Sequence, residues 1–204
     1  ENVIVWDRKE PHFEQTSYRF GRGKRGESVE HGGVYDPART CATTGGPCPI
    51  DVIPVDRTDV TVNLPVLKNH GGAGVTLALK NIAFGCYENH RSAHDNNCDP
   101  FVAEAYAHFV SLAKVPLIVL DATEACFDGG PRPPDRGRLW RESAIYVATD
   151  PVALDVECRK LVMRERAARE LPDTRAACRH IETAAARGLG IGDPARIDVV
   201  TVKV

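Results

Sequence analysis

Val60, Val62 and Leu64 alternate with Thr61 and Asn63, which is the two-residue period of a half-buried strand over 59–64. Pro65 ends that run, where a missing N–H is tolerated. Val75, Ala78, Leu79 and Ile82 follow at helical spacing and predict a helix over 74–84. Further on, 115–120 and 144–148 are short continuous apolar runs, as in strands covered on both faces. Residues 2–6 read as another strand, and 197–204 alternates weakly and is expected to close the sheet beside it. Phe101, Ala105, Phe109 and Leu112 form the apolar stripe of a helix over 100–112. Asp150-Pro151 opens a long helix, with Asp150 as cap and Pro151 at the first helical position. Its Val152, Asp155, Val156 and Arg159 share part of one face, which points Asp155 towards the sheet's ligand edge. Helices are also expected over 10–20 and over 174–187, the latter ended by Gly188. Strands alternating with helices predict one α/β domain over 1–204, a mostly parallel sheet with helices on both faces in three layers. Residues 31–49, rich in Gly, Pro and Thr, read as an irregular excursion lying over a site.

Composition narrows the classes. The 204 residues carry 43% hydrophobic and 26% charged side chains and a net charge of −2, so no nucleic-acid partner is indicated. No apolar run approaches the ~20 residues that cross a bilayer. Seven cysteines are many for a reducing compartment. Cys41 and Cys48 flank a glycine-containing loop and are expected to be bridged, Cys158 and Cys178 could staple two helices, and the odd count leaves a thiol over.

The chemistry concentrates after the strand at 59–64. Lys68-Asn69-His70 leads into Gly71, Gly72 and Gly74, then the helix bearing Lys80 and Asn81. A helix start preceded by glycines exposes N–H groups that attract anions, and Lys68, His70 and Lys80 add positive charge and donors. The alternative reading is a tight connection with solvated lysines. The glycine-rich basic stretch 21–26 reads as a solvated loop.

The stretch L-P-V-L-K-N-H-G-G-A-G-V-T-L-A-L-K-N-I-A-F-G resembles the domain-of-unknown-function family numbered 362, as do F-D-G-G-P (127–131) and A-T-D-P-V-A-L-D (148–155). Asn69 stands where that family usually has threonine. The resemblance implies a fold class and no named reaction. It also implies further elements upstream, often behind a twin-arginine export signal, hence an exported chain that pairs with an upstream segment or a second copy.

His90, His94 and Cys98 stand at i, i+4 and i+8, which on a helix would align ligands for a transition metal, with Asp121 as an acidic partner. Asp95-Asn96-Asn97 speaks for a turn instead. Asp121 and Asp150 follow strand ends, as does His70, and in open α/β sheets such ends line the ligand rim. Signatures of serine hydrolases, C-x-x-C redox proteins, zincins and c-type haem proteins are absent. Three functions follow. One is an enzyme on a small anionic substrate, with Lys68 and Lys80 holding the anion, His70 as acid or base, and Asp121 beside it. The others are a metal or redox protein built on His90 and His94, and a non-catalytic binding module.

Overall fold

The sheet is assembled on β9 (Leu117–Cys126), whose Ile118, Leu120 and Ala122 are buried while Asp121 and Thr123, on either side of Ala122, are exposed. The computed structural model describes residues 3–8, 21–22, 28–31, 33–88 and 91–203. The helix expected over 10–20 and His90 lie outside these residues, as does most of the basic loop 21–26. Along β9 run β6 (Val62–Asn63) and β7 (Val66–His70), both parallel to it. Antiparallel strands flank this parallel centre: β8 (Gly74–Thr76) on β7, and β10 (Leu139–Trp140) and β11 (Ala144–Ala148) on β9. Helices α1 (Ile53–Asp56), α2 (Ala78–Gly85), α3 (Phe101–Leu112), α4 (Pro151–Ala167) and α5 (Arg179–Ala186) supply most of the remaining core, which gathers Leu67, Leu79, Phe109, Leu120 and Ile181. The fold is α/β, in the three-layer class that the alternation predicts.

Two expectations change around the central motif. Pro65 splits the strand 59–64 from its continuation, so β6 is short and β7 carries Lys68, Asn69 and His70. Gly74–Thr76 is a strand, not the start of the helix: Gly71, Gly72 and Ala73 turn the chain, and Lys68 pairs with Thr76 and His70 with Gly74. Gly74 has φ +74, and a Cβ on it would meet the Cys178 Sγ at 2.4 Å, so only glycine lets β8 lie against the turn before α5.

The excursion 31–49 is ordered as a hairpin of β4 (Tyr35–Thr43) and β5 (Gly46–Asp51) packed on α3, where Glu104 accepts from the Thr44 N–H and hydroxyl. Cys41 and Cys48 face each other directly across it, yet both are free thiols, like the other five. Pro47 and Pro49 have no N–H and lie opposite Ala42 and Thr40, which leaves Cys41 and Cys48 at the hydrogen-bonded pair between them. The Cys48 thiol donates instead to the Glu88 carbonyl at 2.6 Å. Cys158 and Cys178 are unbridged too, so the cysteine count ceases to argue for an oxidising compartment. Residues 197–203 form no strand, and β1 (Ile4–Asp7) pairs with β3 (Ser28–His31), as does β2 (Gly21–Arg22), rather than with the chain's end.

Candidate functional site

His70 ends β7 and its ring folds back over the turn that follows. Its Nδ1 accepts hydrogen bonds from the N–H groups of Gly72 at 3.0 Å and Ala73 at 3.1 Å. A nitrogen that accepts two N–H bonds carries no proton, so Nε2 bears the hydrogen and is a donor. Burial, followed by the charges of Lys80, His94 and Lys68, pushes the ring's pKa down to about 4. At neutral pH His70 is thus an uncharged donor with a fixed tautomer. Of the expected acid or base roles, the arrangement has the Nδ1 lone pair engaged by the backbone and Nε2–H as the donor.

Lys80, in the first turn of α2, is 4% exposed. Its Nζ sits 3.5 Å from the centroid of the Phe84 ring, one turn along. The His94 ring meets the edge of Phe84 at 4.7 Å and stacks on His70 at 6.0 Å. Burial first, then Lys68, lowers the Lys80 amine to about 8, with Cys98 pulling the other way. Lys68 is half-buried and its amine is likewise lowered by burial, against the opposing pull of Asp7 and Cys126. Among the described residues the carboxylate of Asp7 acts on Lys68, and none acts on Lys80. Behind them His180, on α5, is fully buried with neither ring nitrogen hydrogen-bonded. Burial and the nearby charges of Lys80, Arg159 and His70 hold its pKa down to about 3.

The helix start is not the anion site. The Ala78 and Leu79 N–H groups donate to the two oxygens of Asp155, at 2.8 and 3.1 Å. Asp155, fully buried on α4, is the anion at that N-terminus, and it docks α4 onto α2 rather than facing a ligand edge. Asn81 belongs to the same framework: it donates to Asn63, which donates to the Ala78 carbonyl. Gly71 and Gly72 shape the His70 turn, and Gly74 packs on Cys178. Lys68, His70 and Lys80 therefore remain from the expected anion set, joined by His94.

Asp121 lies apart. It sits on the exposed side of β9, its carboxylate taken by the Thr123 N–H and hydroxyl at 2.8 and 2.7 Å. Asp150 is a cap, accepting from Val152 and Ala153 and from Ile191 of the chain beyond α5. Of the metal stripe, His90 lies outside the described residues, and residues 91–98 make 3-10 turns broken at Asp95, Asn96 and Asn97, with His94 exposed and Cys98 buried. Among the described residues no group of three or more His, Cys, Asp or Glu side chains is placed to hold a metal ion.

A family model described as Domain of unknown function (DUF362) matches residues 52–160. The chain belongs to that family. No curated protein and no solved structure matches it. The three DUF362-like motifs of this chain lie within the matched span, and most of their residues build the frame. Asp150 and Asp155 cap α4 and α2. In D-G-G-P, Asp128 is held by Arg166 at 2.7 Å and by Arg138, and burial leaves Arg166 5% exposed. Gly130 donates to the Asn69 side chain, and a Cβ there would come within 2.0 Å of the Asn69 carbonyl. Lys68, His70 and Lys80 are the motif residues left facing the site. His180 was missed by sequence reasoning: its one signal is its place beside Ile181 and one turn before Ala184 on the buried face of α5.

Proposed function

We propose that this DUF362 chain is an enzyme acting on a small anionic substrate held where Lys68, His70, Lys80 and His94 converge. One observation supports it above the rest: cationic and proton-donating side chains are gathered at partly dry positions, where among the described residues Asp7 acts on Lys68 and Asp95 on His94 but no carboxylate acts on Lys80. Leaving such charge desolvated costs stability, and an anion would offset that cost. Lys68 and Lys80 supply charge, His70 Nε2–H supplies a neutral hydrogen bond of fixed direction, and exposed His94 is the group free to move a proton.

Calorimetric titration of the full chain with oxalate and with inorganic phosphate tests this. Saturable binding is expected, weakening with added salt. Lys80→Met and Lys68→Met should each lose about tenfold or more in affinity, as befits a hydrogen bond to a charged group. No binding of either anion up to about 10 mM would remove the basis of the proposal.

A further inference from the structure

Charge alone does not account for Lys80. A lysine that only balances an anion's charge gains nothing from burial, because desolvation works against the ammonium form. Lys80 is nonetheless one of the most buried polar side chains of the molecule. The groups around it are Lys68 and His70 from β7, His94 and Cys98 from the segment 91–98, and His180 from α5. None of these is a carboxylate, and four of the five are cations or become so on protonation. This is the environment that leaves a lysine amine neutral and nucleophilic near pH 8.

We propose that Lys80 forms a Schiff base with the carbonyl carbon of a small carboxylate that also carries an aldehyde or ketone. The inference rests on the anion-site reading above and names its substrate class. Lys68 receives the carboxylate, and His70 Nε2–H donates to the carbonyl oxygen. The Nζ lone pair attacks the carbonyl carbon, forming the C–N bond while the C=O π pair moves to oxygen. His94, against the same Phe84 ring as Nζ, takes the proton that nitrogen releases and returns it to that oxygen, giving a carbinolamine. Protonated His94 gives a proton to the hydroxyl, water leaves as the nitrogen lone pair closes the C=N bond, and the protonated imine returns its N–H proton to His94. Amine and carbonyl become imine and water, with no oxidant or reductant.

The test is reductive trapping. The full chain is incubated with pyruvate or glyoxylate and sodium cyanoborohydride, then digested and mapped by mass spectrometry. One reduced adduct is expected on Lys80, in large excess over Lys114, Lys160 and Lys203. Lys80→Arg should lose the adduct, whereas Lys114→Arg, at an exposed position outside the site, should leave both the adduct and oxalate binding unchanged. His94→Gln should slow trapping without abolishing oxalate binding. Adducts spread evenly over the lysines, with oxalate binding intact, would overturn the Schiff base and leave the anion site standing. Absence of both adduct and oxalate binding would overturn the two together.

Discussion

His70 and His180 are held neutral by the fold for different physical reasons. Protonating His70 at Nδ1 would break two backbone hydrogen bonds. Protonating His180 would place an unpartnered charge in the interior beside Lys80 and Arg159. In the unfolded chain both rings titrate near ~6.5, against about 4 and about 3 in the fold. Between those values the unfolded chain binds more protons, so their contribution to stability is complete above ~6.5 and is lost as pH falls. Asp155 acts in the opposite sense. Burial lifts its carboxyl to about 7, against the N–H donors of Leu79 and Ala78, so its share is greatest below ~3.9 and fades as pH rises through 7. Comparing variants isolates the histidine part. Urea unfolding from pH 7 down to pH 4.5 should show a shallower decline in His180→Phe than in the parent chain. Identical slopes would mean that this imidazole does not drive the acid sensitivity.

Among the elements, α2 depends most on a distant residue. Its first N–H groups take a carboxylate 77 positions away in sequence, so helix start and α4 docking are one interaction. Asp155→Ala orphans two buried donors and removes a cap, and should cost about 2–4 kcal/mol in urea unfolding. Asp155→Asn keeps one acceptor oxygen and should recover part of that. A loss under ~0.5 kcal/mol in the alanine variant would show that α2 is positioned by packing alone. Because Lys80 lies in this first turn, the alanine variant should also weaken oxalate binding, and the asparagine variant less so.

For the molecule as a whole, the thiols give the clearest test. Without reductant and in denaturant, seven thiols should react with an aromatic disulfide reagent. Two fewer would mean that a bridge had formed despite the hydrogen-bonded pairing of Cys41 and Cys48. Exposed apolar side chains gather on β6, β7 and β11 and just beside them, namely Val62, Leu64, Val66, Ile145 and Val147.

What the sequence by itself determined was periodic and local. The apolar stripe of α3, the run of β11, the Asp150 cap with Pro151 behind it, and the α/β order were all legible, because side-chain spacing and capping act within a few residues. The cationic character of Lys68, His70 and Lys80 was legible for the same reason. Tertiary structure decided the rest. Whether Gly74–Thr76 became strand or helix depended on pairing with β7. Whether the helix start held a ligand or the protein's own Asp155 depended on α4. Asp121 was turned away by the alternation of β9, and His180 was brought behind Lys80 by α5. Periodicity tells which face of an element is buried, but only the packing of elements far apart in the chain settles which polar groups meet, and which of them find no partner.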